Sequence, residues 1–297
     1  MWPIQDLSER YGILQTSIVS AERVFRLLDT PAQPRDPGIG LRPAATDIEF
    51  DHVWFAYRGE NWVLRDVSFR VPAGESLAVV GHTGAGKTTL TNLLLRFYEP
   101  QHGTIRLGGA DIRSMNRTSL RRMFGVVLQD PYLHEGSILE NIEFGAGGDG
   151  GHKARDAARS AQLDELLAGL PDGINTILVE RGENLSSGQK QLIGIARAIC
   201  RDPRLLIMDE ATSDVDVETE ARLQRALAGL LEGRTSIVIA HRLATVLRAD
   251  RILLLHKGAV REVGTHAELL ERRGLYWRLY QLQFGTGQGA PAFSSAG

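Results

Sequence analysis

The apolar positions divide the chain into zones with different periods. Ile4, Leu7, Tyr11, Leu14, Ile18, Ala21, Phe25 and Leu28 recur at alternating steps of three and four. One stripe repeating every ~3.5 residues predicts a helix over residues 1–30, roughly 40 Å long at ~1.5 Å per residue. Pro3 suits the first turn of such a helix. A lone rod cannot bury its own stripe, so it is expected to lie against a partner. Pro31, Pro34, Pro37 and Pro43, with Gly38 and Gly40, then interrupt regular structure and predict a linker over 31–46.

From residue 47 the period changes to two. Ile48, Phe50, Val53 and Phe55 give residues 47–57 the pattern of a strand, and 63–71 reads as its partner. Short apolar runs follow at 77–80, 124–128, 205–208, 236–240 and 252–255, with helical stretches between them. Such runs predict strands buried on both faces, largely parallel. Residues 139–200 carry helical signals and few strand signals, which predicts a helical subdomain at about 130–200. The expected fold class is therefore α/β: a mostly parallel sheet, an antiparallel β part at its N-terminal side and a helical insertion, together spanning 47–284. The tail 285–297 is rich in Gly, Ala and Ser and is expected to be disordered.

Composition narrows the functions available. The chain has 297 residues, 43% hydrophobic and 24% charged, enough apolar material for a sizeable core. Basic and acidic residues number 34 and 36, a net charge of −2. That balance supplies no general attraction to nucleic acid, and no nucleic-acid partner is expected. Cys200 is the single cysteine, so no internal disulfide or cysteine-based zinc cluster can form. No apolar stretch approaches the ~18 residues of a membrane helix, and the N-terminus lacks a signal-peptide pattern. The chain as it stands is expected to be soluble and cytosolic.

The candidate chemistry starts at Gly81-His82-Thr83-Gly84-Ala85-Gly86-Lys87-Thr88, which fits G-x-x-x-x-G-K-[ST]. A strand is predicted before it, at 76–80, and a helix after it, at 88–97. Glycines let backbone N–H groups approach phosphate oxygens, and the following helix start adds partial positive charge. Lys87 can reach the β and γ phosphates; the Thr88 hydroxyl can ligate Mg²⁺, and Thr89 belongs to the same binding run. Residues 205–208 lead into Asp209 and Glu210 at the C-terminal end of a predicted strand, where open α/β sheets bind ligands. Asp209 is placed to hold Mg²⁺ through water, and Glu210 to orient or deprotonate an attacking water.

Leu185-Ser186-Ser187-Gly188-Gln189 then precedes a helix predicted over 190–200. With this element the chain resembles the ATP-binding cassette family, in particular the nucleotide-binding domain of an exporter, over about residues 30–285. The fold this implies is a P-loop NTPase core with a helical signature subdomain. ATP and Mg²⁺ are the implied ligands. The resemblance assigns Tyr57 to adenine stacking, and Gln129 to Mg²⁺ and to relaying nucleotide state. It assigns Ser186, Gly188 and Gln189 to the signature that closes over a phosphate. Asp216 would communicate between two sites, and His241 would bond the γ-phosphate. Residues 180–182, Glu-Arg-Gly, resemble a loop that contacts a membrane domain. Each has a plainer structural reading: a tyrosine packed on the sheet, a solvated amide, a charged surface loop, and a helix N-cap at Asp216. Two departures stand out: Ser187 replaces the second glycine of the usual signature, and Leu192 stands where many relatives have Arg.

The phosphate loop and the signature lie about 100 residues apart, and in the family they face one ATP from two subunits. The resemblance thus implies a second nucleotide-binding domain, identical or homologous, and a transmembrane domain, fused or separate. Residues 1–30 would be the cytosolic end of its last helix, and the protein would work at the cytoplasmic face of a membrane. Three alternatives are weighed at this point: a free-standing ATPase subunit of an importer, a soluble ABC ATPase unconnected with transport, and a nucleotide-binding but inactive structural subunit, against which Glu210 and His241 argue.

Overall fold

The computed structural model describes residues 2–30, 38, 40, 43–147, 151–210, 216–240 and 242–284. The chain clusters into two units, Met1–Pro37 and Gly38–Gly297. In the first, α1 (Trp2–Leu28) is one uninterrupted helix. Its stripe residues Tyr11, Leu14, Ile18, Phe25 and Leu28 are all exposed. Among the described residues no helix is long and apolar enough to cross a membrane.

The second unit opens with β1 (Ile48–Ala56) and β2 (Trp62–Val71), followed by β3 (Ser76–Val80) and α2 (Lys87–Leu94). Next come β4 (His102–Leu107), β5 (Ala110–Asp111), α3 (Arg117–Arg122) and β6 (Phe124–Val127). The middle of the chain is β7 (Gly136–Ser137), α4 (Ile138–Glu143), α5 (His152–Ser160), α6 (Asp164–Ala168), β8 (Ile177–Leu178) and α7 (Ser187–Arg201). The remainder is β9 (Leu205–Asp209), α8 (Val217–Leu231), β10 (Thr235–Ile239), α9 (Leu243–Arg248), β11 (Arg251–His256), β12 (Ala259–Gly264), α10 (His266–Glu271) and α11 (Leu275–Phe284).

Two larger sheets organise these elements, and β7 and β8 form a separate antiparallel pair. An antiparallel sheet has the order β2-β1-β4-β5. The main sheet has the order β12-β11-β3-β10-β9-β6, parallel throughout except for the β11–β12 pair. The continuous apolar runs are explained by its two buried faces. Leu77, Val79, Leu205, Ile207 and Ile237 join one core, shared with α2 and the antiparallel sheet. Their neighbours Ala78, Val80, Leu206, Met208 and Val238 join the other, shared with α4, α5, α7 and α8. Every residue of such a strand meets an apolar layer, so the alternation seen at β1 is lost.

Several elements differ from the sequence expectation. The helix predicted at 88–97 is shorter, ending at Leu94. The helix predicted at 190–200 begins three residues earlier, because Ser186 and Gln189 form a reciprocal capping box at its start. The strands β4 and β12 were not anticipated. β4 pairs with β1, and its Thr104, Arg106 and preceding turn give it little apolar alternation. Residues 43–46, placed in the linker, are tied to the main unit. The Thr46 and Thr235 hydroxyls lie 2.8 Å apart, and Arg204 donates to the Ala44 carbonyl at 3.0 Å.

Candidate functional site

The parallel strands β3, β10 and β9 end at one edge of the sheet, and that edge carries the chemistry. β3 runs into the glycine-rich turn, and β9 ends on Asp209. Gly84 has φ 79° and Gly86 φ 106°, values that favour glycine. Gly86 also packs tightly, since a Cβ there would sit 2.8 Å from Leu64 Cδ2. α2 starts directly after it, at Lys87.

A cleft of about 390 Å³ opens at this edge. It is lined by Thr83, Gly84, Gly86, Lys87, Thr88, Thr89, Gln129, Asp209 and flanking apolar residues Val63 and Ile239. Residues from three distant stretches thus share one cavity. Lys87 is 7% exposed, and its ammonium donates to the carbonyls of Gly81 (2.6 Å) and His82 (3.2 Å). Burial pulls its pKa below the ordinary lysine value, while the Asp209 carboxylate pulls the other way. Tyr57 stands beside the cleft, 45% exposed, with its hydroxyl 3.2 Å from Thr89 Oγ1. Edge-to-face contacts with Phe55 and Tyr98 hold the ring from behind. The Gln129 carbonyl accepts from Gln191 Nε2 on α7 at 3.0 Å, which links the cleft to the helical region.

Other expected site residues lie apart from this cleft. Glu210 is 8% exposed and does not line it. Its Oε1 accepts from the Thr245 hydroxyl at 2.6 Å, and its Oε2 lies 3.4 Å from the Arg242 amide. Arg242 in turn ion-pairs with Glu220. Neither Thr245 nor Arg242 was singled out by sequence reasoning. The signal available was only their place at the start of the helix that follows β10, Arg242 as its N-cap and Thr245 in its first turn. Ser186 and Gln189 bond each other's backbone at 3.3 and 2.9 Å across the start of α7, and Gly188 is buried beneath them. Asp216 caps α8 by accepting from the Thr219 amide at 2.9 Å. That hydrogen bond holds its carboxyl below the ordinary aspartate value. Arg181 adopts φ 54°, and with Glu183, Lys190 and Asp130 it lines a separate pocket of about 230 Å³. His241 falls outside the described residues, as does the 285–297 tail.

Comparison with known proteins places the chain as a whole. The family profile described as ABC transporter matches residues 64–213. The chain is 47% identical over 284 residues to an uncharacterized ABC transporter ATP-binding protein of Bacillus subtilis, covering 95% of this chain and 47% of that protein. It is 47% identical over 277 residues to a fatty acid ABC transporter ATP-binding/permease protein of Mycobacterium tuberculosis, covering 93% and 44%. Among solved structures, a bacterial Atm1-family ABC exporter with ATP bound superposes with a TM-score of 0.81 at 37% identity, covering 94% of this chain and 49% of that one. The chain spans about half the length of the curated relatives it matches.

Proposed function

The chain belongs to the ABC transporter family, and on that footing we propose that it is the ATP-binding and ATP-hydrolysing part of an exporter. It would dimerise head-to-tail around ATP and drive translocation through a transmembrane domain at the cytoplasmic face of a membrane. One observation carries the reading: Lys87, Thr88, Gln129 and Asp209 line a single cleft at the C-terminal edge of the parallel sheet. The structural neighbour is an exporter, and the mycobacterial relative's name joins ATP-binding to permease. Both support an exporter over a free-standing importer subunit or a soluble relative.

The residues suggest how the work is divided. The backbone amides from Gly81 to Thr89, with His82, Thr83 and Ala85 between the glycines, surround phosphate oxygens at the start of α2. The Lys87 ammonium moves from its two carbonyl partners to phosphate charge. The donors available for Mg²⁺ are the Thr88 hydroxyl, the Gln129 amide oxygen and the Asp209 carboxylate. These are hard oxygen ligands of the kind Mg²⁺ takes alongside phosphate; the ion would neutralise charge developing on the transferred phosphoryl group. Tyr57 offers its exposed face to adenine. Glu210 positions the attacking water, and His241 contacts the γ-phosphate. Ser186, Gly188 and Gln189 close over the phosphate of a second copy, with Asp216 at the junction. Residues 180–182 would contact the membrane domain, and the helix over 1–30 would be the cytosolic end of its last helix.

The test is Glu210→Gln. ATP turnover is expected to fall at least about 100-fold, and gel filtration with ATP and Mg²⁺ should show a stable dimer. A variant that turns over normally, or stays monomeric at high protein concentration, would refute the proposal.

A further inference from the structure

A second cavity, of about 460 Å³, opens between α8, α9 and the main sheet. It shares no lining residue with the phosphate cleft and extends toward the other ends of the strands, reaching Ser76 at the start of β3 and Arg234 just before β10. Its floor is apolar. Met208 and Val238 of the sheet are 2% and 1% exposed, and Leu227, Leu231 and Ala249 form walls above them. The residues of α8 explain why the space stays open. Gln224, Leu227, Ala228 and Leu231 fall on one face of the helix at steps of three and four, and in the middle of that face Ala228 carries only a methyl group. Gly229 and Gly233 beside it supply no side chain, and a Cβ at either would meet open space.

The charged groups around this cavity are not equivalent. Arg234 is held by Asp202 at 2.8 Å and by the Leu230 carbonyl at 2.6 Å. Asp250 accepts from the Ser76 amide and hydroxyl at 2.8 and 2.7 Å. Glu232 follows α8 in an exposed turn, where its carboxylate can face water. Arg248 differs from all three. It is exposed, donates to the Gln224 main-chain carbonyl at 3.3 Å, and forms no ion pair among the described residues. A concave site of roughly 300–1,000 Å³ with apolar walls and a few polar groups is the usual form of a small-molecule site. We propose that this cavity binds a small amphipathic anion, independently of nucleotide. The apolar body of the ligand rests on Met208, Leu227 and Val238, and its carboxylate or sulfonate meets the Arg248 guanidinium at the mouth.

Anilinonaphthalenesulfonate has this shape, and its fluorescence reports transfer from water to an apolar site. Titrated into the full chain beside phenylnaphthylamine, its uncharged counterpart, it probes both halves of the cavity. In Arg248→Gln the sulfonate is expected to bind about fivefold more weakly, the scale of one partly exposed charge pair, and the uncharged probe as before. In Ala228→Leu and Ala228→Trp, residues a helix accepts, the added side chain occupies the cavity, and both probes should lose at least about tenfold in affinity. Saturating ATP with Mg²⁺ should leave both probes bound. All three variants should bind ATP as the natural chain does, which shows that they fold. Unchanged sulfonate binding in the two folded Ala228 variants would overturn the site. Displacement of the probe by ATP would place it in the phosphate cleft and overturn it equally. Arg248→Gln leaving the sulfonate unaffected, or weakening both probes alike, would overturn the assignment of the anion to Arg248.

Discussion

The phosphate loop and the signature are both helix starts with polar side chains and glycine, yet the structure treats them differently. At α2 the start is a left-handed glycine, Gly86, with no side-chain cap, and it opens onto a cleft. At α7 the start is closed by its own residues, since Ser186 and Gln189 satisfy each other's backbone groups. On the proposed reading the first is the cradle for an anion. The second is closed by its own residues and, among the described residues, lines no part of that cleft. The difference teaches that an anion-binding helix start is recognised by what leaves its N–H groups open. It also gives a physical reason for a paired arrangement, in which the capped surface of one copy covers the open cradle of another.

That contrast can be broken in graded ways. Lys87→Ala should weaken ATP binding on the order of 100-fold, because it removes a charge-assisted contact from a shielded site; calorimetry would measure it, and unchanged affinity would dissolve the cradle. Tyr57→Ala should weaken adenine nucleotides about tenfold through lost stacking, while sparing inorganic triphosphate in a competition assay. Ser186→Ala should leave nucleotide affinity of the separate chain unchanged and cost about 1 kcal/mol of stability through the lost cap, read by urea unfolding. If it weakened binding in the separate chain as Lys87→Ala does, the two regions would not be distinct. The smallest effect concerns the C-terminal helices. Burial holds the His266 imidazole below its ordinary value of 6.5, with Tyr276 Oη 2.7 Å away. The unfolded chain therefore binds the proton first as pH falls. The stability contribution is full above about 6.5 and is lost between there and the lower folded value. The melting temperature should decline over that interval, and His266→Gln should flatten the decline.

Much of the scaffold was legible in the residues because local chemistry specifies it. The Gly-rich turn between strand and helix and the apolar runs at β9 and β10 carry their own signals. So does the Ser186-x-x-Gln189 spacing, whose capping-box meaning was available although the helix was predicted to start later. The strands β4 and β12 were not legible, because their apolar content is modest and their pairing with β1 and β11 stabilises them. The orientation of Glu210 was not legible either. Adjacency to Asp209 suggested a shared site, but successive residues leaving a strand diverge, and Asp209 borders the cleft while Glu210 meets Thr245.

The amino-acid sequence by itself determined the apolar strands of the main sheet, the phosphate loop and the family, since each depends on residue type at short spacing. Only the tertiary structure decided which of the distant polar groups share a cavity. It brought Gln129 and Asp209 to Lys87 because parallel pairing of β6, β9, β10 and β3 aligns the strand ends. It also set Glu210 against α9, 35 residues away along the chain. Such meetings depend on register and packing across the sheet, which no local pattern encodes.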